Sequence, residues 1–171
     1  MYTQCKILIL TMGGTIDKVY FDAASDYEVG ESVLSELLAH AHVKSTFEIQ
    51  SVMRKDSLEM TAEDRQALYR IVCDTEYEKI IVTHGTDTMT LSAAALSAVE
   101  NKTIVITGAL APARFASSDA TFNVGMAFAA VQSLASGVYI VMNGQVFKGD
   151  EVKKDRVNNQ FVQIDTPELK Y

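Results

Sequence analysis

Short runs of apolar and β-branched residues alternate along this chain with longer amphipathic stretches. The runs KILILT (6–11), FEIQSV (47–52), KIIVT (79–83), TIVIT (103–107) and VYIVM (138–142) read as strands. Between them, 31–42 carries Val33, Leu34, Leu37, Leu38 and Ala41 at the spacing of one helical face. The stretch 61–73 opens on TAED, a threonine followed three residues later by an acid. That is a capping-box variant ahead of Ala67, Leu68, Ile71 and Val72. Stretches 92–99 and 120–135 are Ala-rich and helical in composition. Strands alternating with helices describe βα units, because parallel neighbours need a crossover long enough to hold a helix.

After Met142 the pattern changes. Asn143-Gly144 between apolar residues signals a two-residue hairpin, and Lys148-Gly149-Asp150 a second turn. A C-terminal β-hairpin followed by a polar extension is expected. No repeat or linker interrupts residues 1–171, so they read as one doubly wound α/β domain with a parallel sheet flanked by helices.

Composition narrows the function. A chain of 171 residues with 48% hydrophobic and 22% charged residues can bury a sizeable core. Its net charge of −7 argues against nucleic-acid and acidic-membrane partners, which select for a basic stripe, and leaves small polar substrates open. Cys5 and Cys73 are too few and too far apart for a disulfide framework or a CxxC metal site, which implies buried free thiols in a reducing compartment. The N-terminus MYTQCKILIL lacks the features of a secretory signal, and its apolar run is too short to span a bilayer, so a cytoplasmic location is expected. The histidines form no HExxH-type cluster, and no metal site is legible.

Chemistry gathers at the strand ends. In LILTMGGTID (8–17) an apolar run meets Gly13-Gly14 and then Thr15, which is either displayed to a ligand crevice or simply bonds a turn. KIIVTHGTDTMT (79–90) leads into His84, Gly85, Thr86, Asp87 and Thr88, and SVMRKDSLEM (51–60) into Asp56 and Ser57. If these strands are parallel, their ends share one rim. A threonine hydroxyl needs a base to act as a nucleophile, and a lysine serves only if its pKa is lowered. Lys154, in DEVKKDRV past the hairpin, is a candidate base. Lys153 points the other way in an extended segment, and spacing alone favours a solvated surface lysine at Lys154.

MGGTID followed by HGTDTM resembles the paired signature of the bacterial-type L-asparaginases, written TGGTI and HGTDT. The second motif matches in full at 84–88 and the first at 13–16. SDYEVG (25–30), DSLEMT (56–61), GALAP (108–112) and VMNGQV with its downstream lysine (141–154) extend the agreement. The resemblance implies a flavodoxin-like domain of the N-terminal type, with the family's usual C-terminal domain absent from residues 1–171. It further implies a cofactor-free, homo-oligomeric L-asparaginase whose substrate is L-asparagine, with L-glutamine as the alternative.

Position by position, Thr15 matches the nucleophile and Tyr27 the loop tyrosine that orients it and covers the site. Thr86, Asp87 and Lys154 match the set that relays protons or activates water. Ser57 matches the residue that holds the substrate α-carboxylate, and Asp87 the one that binds its α-ammonium. Asp56, Gly14, Gly85 and Thr86 complete the implied binding set, with backbone N–H groups of the Gly-rich turns as donors. His84 is expected to hold its loop by hydrogen bonding. Leu58 stands where many members carry glutamine, and Met12 replaces a small residue, a packing change. Three rival readings are an amide hydrolase supplying ammonia to a tRNA-dependent amidotransferase, an idle amino-acid sensor, and a nucleotide-binding flavodoxin-like domain.

Overall fold

A run of apolar residues without alternation folds as a strand only when helices cover both of its faces. In the computed structural model, which describes residues 6–21 and 26–164, β1 (Ile7–Gly13) is such a strand, buried throughout. A 3₁₀ turn at 15–17 leads from it into an antiparallel ribbon of β2 (Lys18–Phe21) and β3 (Asp26–Val29). Four βα units follow. Helix α1 (Leu34–His40) leads to β4 (Phe47–Lys55), α2 (Ala62–Asp74) to β5 (Lys79–Thr83), α3 (Met89–Leu96) to β6 (Thr103–Thr107), and α4 (Ala120–Ser133) to β7 (Gly137–Met142). Finally β8 (Gln145–Lys148) returns antiparallel on β7, and β9 (Val152–Asp155) pairs with β10 (Gln160–Gln163).

The central sheet runs β4-β1-β5-β6-β7-β8, its first five strands parallel. This is the flavodoxin-like order, in which the chain's progress across the sheet reverses between β1 and β5 and makes the crevice where ligands of such sheets collect. Register brings Thr11, Thr83 and Thr107 side by side, so the loops after β1, β5 and β6 leave at one level. Period-two side-chain alternation divides the core. Leu8, Leu10, Ile80, Val82 and Ile104 face Leu68, Val72 and Leu96 on one side. Ile7, Ile9, Ile81 and Val105 face Leu34, Leu38, Val124 and Val131 on the other.

The 79–83 and 103–107 strands lie where the sequence puts them, and the 61–64 capping box forms. Thr61 Oγ1 accepts from Asp64 N at 3.3 Å while the Asp64 carboxylate accepts from Thr61 N at 2.9 Å. Met12 is fully buried in the core, as expected of a packing change. The Asn143-Gly144 hairpin also forms, with φ of 47° and 88° at those residues.

Several expectations need correction. Helix α3 begins at Met89, directly behind the 84–88 loop, because Leu91 N and Ser92 N find the Thr88 carbonyl. It ends at Leu96 in tight turns rather than reaching 99. Helix α1 is shorter than 31–42 because Val33 N is taken by the Asp17 carboxylate at 3.2 Å. Cys73 is exposed rather than buried: it lies five positions beyond Leu68, about 140° around the helix from the core face. Cys5 falls outside the described residues.

Residues 152–163 form a second hairpin where a polar extension is expected. Asp155 holds its turn by accepting from Val157 N and Asn158 N at 3.0 and 3.2 Å. Val152 and Phe161 bury in the core, each 4% exposed. At about 2 kcal/mol apiece, these two side chains outweigh the solvation of a short polar segment.

Candidate active site

Three loops that leave neighbouring strands meet at the switch point, and glycine makes the meeting possible. Gly14 has φ of 88°, a left-handed conformation, and a Cβ there would lie 2.4 Å from the Gly85 backbone. A Cβ on Gly85 would in turn lie 2.6 Å from the Ser57 side chain. The loops after β1, β5 and β4 are thus stacked in direct contact. Gly14 N bonds the Lys55 carbonyl at 3.0 Å, and Thr88 Oγ1 donates to the Ser57 carbonyl at 2.7 Å. Gly14→Ala combines backbone strain with a backbone clash, so it is expected to cost about 3 kcal/mol or more in denaturant unfolding. Unchanged stability would mean that the turn can widen.

Thr15 and Thr86 are the residues that directly follow those two touching glycines. Thr15 begins the 3₁₀ turn after Gly14 and is half-buried, and Thr86 is buried. Lys154 Nζ reaches Thr86 Oγ1 at 3.0 Å from β9, and it lies 5.1 Å from the Phe161 ring centroid. Burial lowers the Lys154 pKa below the ordinary lysine value. The Asp87 carboxylate opposes that shift, Arg156 adds to it, and Asp119 opposes it more weakly. Arg156 also donates to the Asp87 carbonyl at 3.4 Å. The lysine that spacing alone reads as solvated is instead a partly buried, pKa-depressed amine bonded to a threonine.

The remaining expected residues divide. Ser57 is 1% exposed, and its hydroxyl has no hydrogen-bond partner among the described residues. A buried hydroxyl left unsatisfied is costly, and one at a ligand crevice is ready for a ligand atom. Asp56 is already engaged: its carboxylate accepts from Leu58 N at 3.1 Å and pairs with Lys18 at 2.8 Å. Burial pushes its carboxyl up, the Lys18 and Leu58 donors outweigh that, and the pKa ends below the ordinary value. Asp56 thus caps the turn that presents Ser57. Tyr27, on β3, is exposed and meets Tyr20 and Phe115 edge-on, with centroids 5.4 and 6.2 Å apart. Beside it a 410 Å³ cleft opens between the β2–β3 ribbon and the 56–59 turn.

His84 is fully buried behind the loop. Its Nδ1 lies 2.7 Å from the Gly85 carbonyl and its Nε2 2.7 Å from Ser92 Oγ. A carbonyl only accepts, so Nδ1 carries the proton and Nε2 accepts from the Ser92 hydroxyl. Burial pushes the imidazole down to about 4, opposed by the Gly85 bond and assisted slightly by Arg65. It stays neutral and structural near pH 7. Unfolded histidine titrates near 6.5, so between pH 6.5 and about 4 the unfolded chain binds a proton that the folded chain refuses. Stability is full above that window and falls through it by roughly 3 kcal/mol. Thermal midpoints measured from pH 7 to 4.5 should show this fall and show it reduced in His84→Gln; parallel curves would contradict it.

Sequence reading missed Ser92 and Arg156, and it missed a polar cluster around Asp119. The signal for the cluster was present in SSDATFN (117–123), where Ser118 and Asp119 stand immediately before a helix, the position that favours such residues.

Comparison with known proteins shows the family and the fold of this chain. A family model described as asparaginase, N-terminal, matches residues 6–170. An L-asparaginase of Thermococcus kodakarensis is 30% identical over 180 residues, covering 97% of this chain and 53% of the relative. A component of the glutamyl-tRNA(Gln) amidotransferase of Methanococcus vannielii is 33% identical over 158 residues, covering 82% of this chain and 35% of that protein. Among solved structures, the thermostable L-asparaginase from Thermococcus kodakarensis superposes with a TM-score of 0.81 at 27% identity, over 95% of this chain and 52% of that one. The chain spans about half the length of the L-asparaginases it matches.

Proposed function

Because the chain belongs to the asparaginase family, we propose that it hydrolyses the side-chain amide of L-asparagine to L-aspartate and ammonia, with Thr15 as the nucleophile. The observation that carries this reading is the contact between Gly14 and Gly85. It brings together the glycines that precede Thr15 and Thr86, and the Thr86 hydroxyl is bonded to a pKa-depressed lysine, which supports this reading.

In this reading Thr15 Oγ1 attacks the amide carbon. The negative charge that develops on the amide oxygen is stabilised by backbone N–H groups of the turns. The C–N bond breaks, the leaving nitrogen takes up the proton that the Thr15 hydroxyl gave up and departs as ammonia, and a β-aspartyl ester of Thr15 remains. A water deprotonated through Thr86 and Lys154 then attacks the ester, releasing aspartate and restoring the Thr15 hydroxyl. Along the 3.0 Å line between them, a neutral Lys154 accepts the proton that Thr86 passes on. The unpartnered Ser57 hydroxyl donates to the substrate α-carboxylate, and Asp87 meets its α-ammonium. Tyr27 covers the site from the β2–β3 ribbon, and the working unit is a homo-oligomer.

The likeness to an amidotransferase component supports a second reading, in which the ammonia serves a partner enzyme. Ammonia release from free L-asparagine and from L-glutamine, assayed separately with the unmodified chain, tests both. Turnover of asparagine alone supports the asparaginase reading. Release only when an amidotransferase partner is supplied favours the second. Binding of asparagine by calorimetry without any release would leave the domain a sensor.

A further inference from the structure

Asp119 takes no part in the reaction above, yet its carboxylate accepts from four donors. They are Leu110 N at 3.0 Å, Ala111 N at 3.1 Å, Asn123 Nδ2 at 2.8 Å and Asn143 Nδ2 at 2.9 Å. Asn123 closes the cluster, donating to the Gly108 carbonyl and accepting from Asn143 N, both at 2.9 Å. One carboxylate thereby ties together the exit of β6, the first turn of α4 and the β7–β8 turn.

The connection continues to the reacting groups. Ala113 N donates to the Ile16 carbonyl at 3.1 Å, which fastens the same loop to the turn that begins with Thr15. Phe115, two residues on, meets the Tyr27 ring. At its other end the loop has no slack, because a Cβ on Gly108 would lie 2.3 Å from the His84 carbonyl oxygen. The 108–115 segment therefore touches the Thr15 turn, the Tyr27 ring and the loop that carries Thr86.

We propose that Asp119 is a positioning residue for amide hydrolysis, holding the 108–115 segment as a strut that fixes the Thr15 turn relative to the Thr86 loop. This rests on the reading of Thr15 as the nucleophile. An error of about 1 Å in the placement of reacting groups is enough to cost roughly a hundredfold in rate. Asp119 also acts through its charge: the charged groups facing Lys154 are Asp87, Arg156 and Asp119, and Asp119 favours the ammonium form.

Asp119→Asn keeps the size but turns an amide N–H₂ toward donors that need an acceptor, and it removes the negative charge. Hydrogen exchange read by mass spectrometry, without substrate, is expected to speed up about tenfold or more in peptides spanning 109–117 and 13–18. The strands 79–83 and 103–107 should keep their protection. In the same variant kcat for asparagine falls about tenfold or more with a smaller change in KM. The rising limb of its pH profile moves to lower pH, because Lys154 loses its proton more readily.

Asn143→Ala breaks one tie and keeps the charge. It should raise exchange in the same two peptides to a lesser degree without moving the pH limb, and it carries the test if Asp119→Asn does not fold. Unchanged exchange at 13–18, or an equal loss of protection in the core strands, overturns the proposal. A parent chain that releases no ammonia refutes the asparaginase reading instead, and the exchange measurement still decides whether the strut exists.

Discussion

Thr15→Ala is expected to lower kcat for asparagine by about 10⁴-fold or more while leaving KM and the thermal midpoint close to those of the parent chain. The reason is positional. Thr15 is half-buried at the start of a 3₁₀ turn, and that turn is held by backbone bonds from Asp17 N to the Gly14 carbonyl and from Ala113 N to the Ile16 carbonyl. None of these bonds needs the Thr15 side chain, so its loss should change stability by no more than about 1 kcal/mol. What is lost is the oxygen that forms the ester. Thr15→Ser restores a hydroxyl and should recover a large part of the rate.

Thr86→Ala should cost about 10²–10⁴-fold, the usual share of a proton-transfer partner. The double variant should be hardly slower than Thr15→Ala alone, since groups that act as one unit are not additive. A Thr15→Ala chain with a rate near the parent's would remove Thr15 from the chemistry.

Lys154 carries the second large effect. Lys154→Met keeps the length of the side chain and its packing near Phe161 but removes the base, and kcat should fall about 10²–10⁴-fold. Lys154→Arg should do as badly, because a guanidinium stays protonated at any working pH. The sign of the pH dependence follows from the direction of the shift. Burial moves the Lys154 pKa below the ordinary lysine value, and the neutral amine is the form that can accept a proton. Activity therefore rises with pH through that lowered pKa and is highest at neutral to alkaline values. The profile should lose this limb in Lys154→Met. A rate that climbs steadily toward pH 5 would mean that the protonated lysine is the working form.

The parts of this molecule that are legible in the sequence are those written in local periodicity or in a short motif. The buried strands 79–83 and 103–107 are continuous apolar runs bounded by polar residues, and the helix at 62–74 announces itself through Thr61 and Asp64. Two glycine-threonine motifs suffice to bring Thr15 and Thr86 to one rim, because parallel strands have one carboxyl edge.

What stays hidden depends on contacts distant in sequence. The β9–β10 hairpin rests on Val152 and Phe161, two apolar residues in a polar segment that no period connects. The same hidden burial lowers the pKa of Lys154, which spacing alone reads as a solvated surface lysine. The capping role of Asp56 is invisible for a similar reason: its partner Lys18 lies thirty-eight positions away on a ribbon that the alternating pattern does not show. Asp119 joins the exit of β6, the first turn of α4 and the β7–β8 turn; SSDATFN (117–123) marks its place before a helix but not the partners Leu110, Ala111 and Asn143 that it reaches.

The position of the ester decides which threonine is the nucleophile. During turnover of isotopically labelled L-asparagine, the unmodified chain is quenched in acid, digested and mapped by mass spectrometry. A labelled β-aspartyl adduct is expected on the peptide that contains Thr15, and none in Thr15→Ala. An adduct on the peptide that contains Thr86, or ammonia release with no adduct on either peptide, would contradict Thr15 as the nucleophile.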